Sequence, residues 1–202
     1  MPKKVDHQKQ REKVAAAVWR VATREGIEKA SVRNIAKEAG LPVSTMRHYF
    51  TNQSELLLFA MKSILSGIEQ RVYEKIRRDY TENPDMTAFE AAKRMSMFFI
   101  HIDHELEIKI WLSFTAKSLY DAEMKQLSNE MYMDLYGAMK QVIEVLQQAK
   151  LTKVDLDVEL EIDRLYALVD GIAIHRLIKP DWMTRAKAER LITHHLESLL
   201  RT

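Results

Sequence analysis

Apolar residues recur along this chain every three to four positions, which is the spacing of one face of an α-helix. The first such run, from Val14 to Ala22, predicts a helix over about residues 8–25. Gly26 follows it, at the position where the left-handed conformation of a helix C-cap is expected. The chain therefore begins with one amphipathic helix.

Two short helices and one long helix are predicted next. Ser31 is a typical N-cap for a short helix that Gly40 ends. A third helix spans about residues 43–49, and Glu55 opens a long helix that ends near Arg78.

The rest of the chain keeps the helical spacing, without an internal repeat or a low-complexity tract. Residues 101–104 are a predicted break, because the apolar face shifts there. The remaining predictions are helices capped by Thr87, Asp155 and Thr184, a helix around Leu106–Phe114, a long helix over about residues 121–149, and a helix end at Pro180.

Composition agrees with a wholly helical protein. The 202 residues include only 5 Gly and 4 Pro, whereas β-rich folds use these residues in turns and nucleotide-binding folds use Gly to hold phosphates. The absence of Cys from the sequence excludes disulfides, thiolate zinc sites and Cys nucleophiles. No apolar run approaches the roughly 18 residues of a membrane span, and residues 1–7 lack the apolar core of a secretory signal. We therefore predict an all-α, cytoplasmic protein.

Charge is unevenly distributed along the chain. Residues 1–50 hold 11 Lys and Arg against 5 Asp and Glu, and the other 152 residues hold 20 against 24. A basic N-terminal part on a mildly acidic body suggests that the N-terminal part binds a polyanion. Random drift of charge explains such a difference equally well, so the individual residues have to decide.

The loop 40–42 joins the two short helices in the proportions of a helix-turn-helix. No acidic residue occurs over residues 42–53, although any tight helix pair can imitate this motif. We predict a three-helix DNA-binding domain over residues 1–52 and a larger helical domain over residues 53–202. The third helix exposes side chains of the types that reach phosphates and base edges in a major groove, namely Ser44, Thr45, Arg47 and His48.

Three segments resemble the N-terminal domain of TetR-family transcriptional regulators: Ser31–Leu41, Ser44–Phe50 and Asn52–Leu57. The similarity covers roughly residues 8–60, and the turn, the aromatic pair and the following helix start all have the family's spacing. The resemblance implies a homodimer that places its third helices in successive major grooves of a near-palindromic operator. It also implies that residues 53–202 bind an effector and form the dimer.

The resemblance carries DNA-binding roles to seven residues. The family often has Tyr where Arg47 stands, and an Arg at position 47 suits a bidentate contact with guanine. The family usually has Lys where Gln53 stands. The implied roles are phosphate contacts for Ser31 and Thr45, a base or phosphate contact for Arg33, groove contacts for Ser44, Arg47 and His48, and a backbone contact or a core position for Tyr49.

The resemblance further implies a cavity for a small apolar or amphipathic effector among the middle helices. Met and aromatic side chains line adaptable apolar pockets, and a nearby polar group orients the ligand. At helical spacing the same residue types also fill ordinary cores, which is the more frequent case for any one residue. The candidates are Met61, Leu65, Phe98, Phe99, Ile102, Trp111, Phe114, Tyr132, Tyr136, Tyr166 and Asp170.

The last two helices are apolar over more than one stripe, so a second surface has to be covered. We predict that a second copy of the chain covers it in a four-helix seam, where Gly171 suits a close helix crossing. The segment 168–173 also resembles the C-terminal part of the choline-pathway repressors of the family. The predicted interface residues are Leu165, Leu168, Val169, Ile172, Leu191, His195 and Leu199.

Two alternatives stay open. A DNA-binding protein without an effector would act as an architectural or protein-interaction factor. A metal-dependent enzyme would use His101, His104 and Glu105, which share a helical face but still lack a distant ligand. We predict neither catalytic nor metal-binding residues, and we expect no cofactor.

Overall fold

The computed structural model describes residues 7–26, 29–50, 52–100 and 105–201. These residues are mostly helical, and the only β-type pairing among them is one isolated antiparallel bridge between residues 152 and 200. The prediction of an all-α fold is confirmed. The helices are α1 (His7–Glu25), α2 (Val32–Ala39), α3 (Val43–Tyr49), α4 (Gln53–Glu82), α5 (Ala88–Phe98), α6 (Glu105–Ser118), α7 (Ala122–Gln148), α8 (Val158–Ile178) and α9 (Arg185–Ser198).

Side-chain caps begin three of the helices where the sequence predicts them. The hydroxyl oxygens of Ser31, Thr87 and Thr184 each accept a hydrogen bond from the backbone N–H three residues later. Each such cap stabilises a helix by about 1 kcal/mol. The starts of α2, α5 and α9 are therefore set by local chemistry.

The predicted cap of α8 is wrong. Asp155 lies outside the helix, and the carboxylate of Asp157 accepts the hydrogen bond from the backbone N–H of Leu160 at 3.2 Å. Leu156 and Val158 both pack against the core. Burial of these two side chains places the first turn of α8 two residues later than the predicted start.

The fourth helix is longer than predicted at both ends. It begins at Gln53 because the side-chain oxygen of Asn52 accepts a hydrogen bond from the backbone N–H of Glu55 at 2.8 Å. At the other end, Asn83 bonds the carbonyl of Asp79 through its backbone N–H at 3.0 Å and through its side chain at 3.1 Å. The proline that follows cannot continue a helix.

One compact unit consists of the described residues up to Glu69 together with Lys109–Ser128. In it α1 packs on α2, and α2 packs on α3. Its core includes fully buried side chains from the first helices and from the start of α4, among them Ile35, Met46 and Leu56.

The second compact unit consists of Gln70–Ile108 and the described residues from Asn129 onward. Its core joins side chains of α5, α7, α8 and α9, and the largest fully buried ones include Ile143, Leu165 and Ile192. An ion pair of 3.2 Å between Lys93 of α5 and Glu189 of α9 lies at its surface, where such pairs contribute less than about 1 kcal/mol.

The domain boundary that the sequence predicts between residues 52 and 53 stays a prediction. The two units are defined by packing, which does not say where DNA binding ends. The break predicted at residues 101–104 lies outside the described residues.

Candidate DNA-binding head and effector site

The turn between α2 and α3 has the geometry that a helix-turn-helix needs. Gly40 adopts the left-handed conformation with φ of 65°, which a residue with a Cβ rarely adopts. The backbone N–H of Leu41 then reaches back to the carbonyl of Ala36 at 2.9 Å, as in a Schellman C-cap. Ile35 and Met46 are fully buried between the helices, so the orientation of α3 is fixed from both sides. We refer to α1–α3 as the head.

Most of the predicted DNA-contacting side chains are accessible. Arg33, Ser44 and Arg47 are exposed, and Thr45 is half-buried. Neither Arg33 nor Arg47 forms a hydrogen bond or ion pair with any residue that the structure describes. Both guanidinium groups therefore keep all their donors available. The side chain of His48 lies outside the described part.

Two predicted contacts have partners inside the protein. The hydroxyl of Tyr49 donates to the side-chain oxygen of Gln10 at 2.7 Å, which ties the end of α3 to the start of α1. The Tyr49 ring is half-buried beside Phe50, at 6.4 Å between centroids. The hydroxyl oxygen of Ser31 is the N-cap of α2. Their contacts with phosphate stay predictions.

Charge pairing separates the acids of the head from its free bases. The carboxylate of Glu38 accepts hydrogen bonds from Arg20 at 2.6 Å and from Arg24 at 2.9 Å. The hydrogen bond from Arg20 lowers the pKa of Glu38 most, and the hydrogen bond from Arg24 lowers it further. Arg24 also bonds Glu25 at 2.7 Å. The two contacts with Glu38 join residues 14 and 18 positions apart, so sequence patterns alone did not reveal them.

One face of α2 is left basic by this pairing. Arg33 and Lys37 are one helical turn apart and exposed, and neither has a partner among the described residues. Glu38 lies on a different face of the same helix because five positions correspond to about 140°. Arg47 lies on α3, the helix predicted to enter the major groove, which we call the recognition helix. The head therefore presents unpaired cations on and beside this helix, which is the arrangement that binds phosphate.

The predicted effector residues fall into separate groups. Met61 and Phe114 are buried in the first unit, where Trp111 is half-buried. Ile102 and the side chain of Leu65 lie outside the described part. The remaining candidates belong to the second unit, in two places.

The first place is a cavity of about 40 Å³. Phe98 and Phe99 lie edge to face at 5.5 Å and line it together with Met86, Met95 and the aliphatic part of Arg94. This volume is far below the roughly 300 Å³ or more of small-molecule sites. An effector fits here only if side chains move.

The second place, on α7 and α8, is the Tyr–Asp cluster, defined here as Tyr132, Tyr136, Tyr166 and Asp170. The rings of Tyr132 and Tyr166 are 4.8 Å apart. Tyr132 is 50% exposed although Tyr166 is buried, so the ring pair is open on one side.

Burial raises the pKa of Asp170 to about 6. Burial raises the pKa of Tyr166, and the negative charge of Asp170 raises it further. Asp170 has no hydrogen-bond donor or cation among the described residues. A partly buried carboxylate next to open tyrosine rings is a combination that attracts organic cations.

The predicted dimer residues are mostly buried within one chain. Leu165, Val169, Ile172, His195 and Leu199 are each less than 9% exposed, whereas Leu168 and Leu191 are half-buried. The core of a single chain therefore accounts for the burial of five of the seven, and their role in a dimer stays a prediction.

A different line of residues on α8 is accessible. We call it the outer stripe of α8, and it consists of Leu160, Ala167, Gly171, Ile174 and Ile178. Leu160 is 52% and Ile178 61% exposed. The spacing of seven, four, three and four positions keeps the stripe on one face of the helix. Sequence reasoning missed it because the buried stripe has the same period.

The acidic and His side chains within the described ranges do not come together in any group of three that could hold a metal ion. His101 and His104 lie outside those ranges, and Glu105 is exposed at the start of α6. Among the same residues, none of the helices has the length and apolarity needed to cross a membrane.

A capped helix-turn-helix with unpaired cations, joined to a larger helical unit, defines a DNA-binding regulatory protein. Residues 14–59 match the family described as bacterial regulatory proteins, tetR family. Residues 97–201, just over half of the chain, match the family described as BetI-type transcriptional repressor, C-terminal. The chain belongs to the TetR family of transcriptional regulators, with a C-terminal region of the BetI type. It is therefore a regulator and not an enzyme, and the predicted family is confirmed.

Individual relatives agree with this assignment over nearly the whole chain. The HTH-type transcriptional regulator PksA of Bacillus subtilis is 36% identical over 98% of this chain and 94% of its own length. BetI of Vibrio campbellii is 26% identical over 99% and 96%. A transcriptional regulator from Saccharomonospora viridis, solved in complex with choline, has a TM-score of 0.71 at 21% identity, over 96% of this chain and 100% of its own.

Proposed function

We propose that this chain is a homodimeric repressor that acts in the cytoplasm, binds a near-palindromic operator through α3, and leaves it when a small amphipathic cation binds at the Tyr–Asp cluster. The observation that carries this proposal is the charge pattern of the head. Glu38 is held by two Arg of α1, while Arg33 and Arg47 are exposed and unpaired. A surface that serves only solubility has no need for this separation.

The recognition helix has the size and chemistry for a major groove. An α-helix with its side chains is about 10–12 Å across, and the major groove, which is about 12 Å wide, admits one. The exposed Ser44 and Arg47 supply the donors. Two heads joined in a dimer read half-sites about 34 Å apart.

The effector is assigned by the chemistry of the Tyr–Asp cluster. Asp170 lacks a cation partner among the described residues, and the rings of Tyr132 and Tyr166 provide the aromatic faces that ammonium groups prefer. Choline, the ligand of the similar Saccharomonospora regulator, is such a quaternary ammonium. This agreement supports a cationic effector with a small apolar body.

DNA binding is tested by selecting an operator from a random DNA library with the purified protein. Binding is then measured for the wild type, for Arg33→Ala and Arg47→Ala, and for Arg77→Ala of α4 as a matched control. We expect both head variants to lose about tenfold or more in operator affinity, which corresponds to about 1.4 kcal/mol, and the control to be unchanged. A selection that enriches no sequence would contradict the proposal.

The effector is tested with tetramethylammonium, choline and longer alkyl-trimethylammonium ions, and with the neutral carbon isostere of choline as the control compound. A ligand that binds the folded state raises the melting temperature, and we expect only the cations to do so and to release the operator. Asp170→Asn should abolish this preference, whereas Asp134→Asn, an exposed acid of α7, should keep it. An equal response to the neutral isostere would refute a cationic effector.

A further inference from the structure

Arg176 is a charged side chain on the core-facing side of α8. It comes about one turn after Ile172 and Ala173, which are both part of the apolar core of the second unit. The residue is only 8% exposed, and an Arg is almost never buried to this degree unless its charge is paired. Its hydrogen-bond and ion-pair partners therefore have to be accounted for.

This guanidinium has no partner among the residues that the structure describes. Its Nε and Nη1 atoms are enclosed without donating a hydrogen bond, and it makes no ion pair with a described residue. The aliphatic part of an Arg can cover apolar surface while its charge stays in water, but here two of the three nitrogens are themselves removed from water. Only Nη2 is not enclosed in this way, so the guanidinium meets solvent at that atom.

A second cation lies near the buried one. Arg185 is the first residue of α9, and it is exposed without an ion pair to any described residue. Burial lowers the pKa of Arg176, and the positive charge of Arg185 lowers it further. The two guanidinium groups are thus close enough to repel each other. Desolvation and repulsion both oppose this arrangement, so it calls for an anion that offsets them.

The acids of this region do not supply that anion. Residues 175–190 contain only Asp181 and Glu189 as acids. Asp181, in the connection between α8 and α9, is exposed and forms no ion pair with a residue that the structure describes. The carboxylate of Glu189 bonds Lys93 of α5 instead, at 3.2 Å. Both guanidinium groups therefore keep their donors for a partner from outside.

The start of α9 adds further donors. The first backbone N–H groups of a helix have no partner within the helix, and they form the positive end of its dipole. In α9 the hydroxyl oxygen of Thr184 accepts a hydrogen bond from the N–H of Lys187 at 3.3 Å. The N–H groups of Arg185 and Ala186 donate to no described residue, so this helix start also favours a negative charge.

We infer that Arg176 and Arg185 form a binding site for an oxyanion, the phosphate or carboxylate group of a small molecule, where α8 joins α9. Guanidinium groups suit such anions because two parallel N–H groups bond two oxygens. Both edges of Arg176 that can do so include Nη2, the atom that meets solvent. The ligand therefore enters from that side, and it pairs the buried and the exposed cation together.

This site is separate from the proposed cation site. Asp170 is six positions before Arg176 on α8, and burial alone accounts for the raised pKa of Asp170, so the two side chains do not neutralise each other. The oxyanion site therefore stands whether or not the Tyr–Asp cluster binds a cation. Asp170→Asn should leave phosphate affinity unchanged, which distinguishes the two sites by experiment.

Thermal unfolding at constant ionic strength tests the site with inorganic phosphate and with acetate, and chloride is the control anion. An anion that binds the folded state raises the melting temperature in a saturable way. The test variants are Arg176→Met, which has a similar length without the charge, and Arg185→Ala. The matched control is Arg190→Met, an exposed position of α9 that lies on a different face from Arg185 because it is five positions later.

We expect phosphate, acetate or both to stabilise the wild type and chloride to have no such effect, and the anion that binds more tightly identifies the group of the ligand. Arg176→Met and Arg185→Ala should each weaken this binding about tenfold or more, whereas Arg190→Met should bind like the wild type. If both test variants respond as the wild type does, or if the wild type responds to neither anion, the inference is overturned. A carboxylate from a second copy in the site would produce the latter result.

Stability without the ligand provides a second measurement. Arg176→Met removes a buried charge that lacks a partner, so in chloride it should unfold at a higher temperature than the wild type. Saturating phosphate should reduce this difference, because it stabilises only the wild type. A lower melting temperature of Arg176→Met in chloride would show that the protein already satisfies the guanidinium, and this would also overturn the inference. Arg185→Ala changes an exposed position, so it tests the site even if Arg176→Met does not fold.

Discussion

Replacing Asp170 by Asn tests the most unusual electrostatic feature of the second unit. Burial raises the pKa of this carboxyl from 3.8 to about 6 in the folded chain. In the unfolded chain Asp170 ionises near its ordinary pKa, so the folded state binds more protons between these two values. Stability attributable to this group therefore falls as pH rises from about 4 to above 6.

The size of the effect follows from the shift. Each pKa unit corresponds to about 1.4 kcal/mol, and a shift of about two units sets an upper bound of about 3 kcal/mol. Part of the side chain of Asp170 is still solvated, so we expect about 1–2 kcal/mol after screening. Asp170→Asn should remove this penalty at pH 7.5 and change little near pH 4.

Urea unfolding followed by circular dichroism at several pH values between 4.5 and 8 measures the difference between variant and wild type. Asp134→Asn, on the exposed face of α7, is the control and should show a difference that does not vary with pH. With the same pKa, Asp170 is about 90% protonated at pH 5 and ionised at pH 7.5. An ammonium effector should therefore bind about tenfold more weakly at pH 5 than at pH 7.5. A pH-independent gain of stability would refute the reasoning.

Three further predictions concern the head. Arg47→Ala should reduce the preference for one base in each half-site by about 1–3 kcal/mol. Binding to single-base variants of the operator measures this, and equal weakening on all of them would show that Arg47 contacts the DNA backbone instead. Gly40→Ala should destabilise the chain by about 1 kcal/mol in thermal or urea unfolding, because φ is 65° there, whereas Gly137→Ala in α7 should not destabilise it. Tyr49→Phe should lose about 1 kcal/mol of stability with the bond to Gln10, and an unchanged unfolding midpoint would show that this tie is not needed.

Local signals made the head predictable from the sequence. The cap at Ser31 and the left-handed turn at Gly40 each depend on a few neighbouring residues, and both are confirmed. Pairing of Glu38 with Arg20 and Arg24 was not predictable, because a salt bridge between separate helices leaves no periodic trace. The charge pattern that carries the DNA-binding proposal therefore required the fold.

The second unit shows where periodicity stops being informative. Spacing identified Leu165 and Ile172 as members of an apolar stripe, but it could not tell whether their own chain or a second copy covers them. The structure shows that their own chain does so. The accessible stripe that begins at Leu160 has the same period and differs only in what surrounds it.

A single helix, α8, carries part of the Tyr–Asp cluster and the whole outer stripe. Asp170 is three positions from Ala167 and four from Ile174, so it lies beside the outer stripe, and Tyr166 lies further round the helix. In the proposed homodimer, a cation that orders the Tyr–Asp cluster acts on this same helix. Operator half-sites are held about 34 Å apart by the DNA, so only one arrangement of the two chains in the proposed homodimer suits both heads at once. An effector that favours a different packing by about 3 kcal/mol would weaken operator binding more than a hundredfold without touching the DNA-contacting residues.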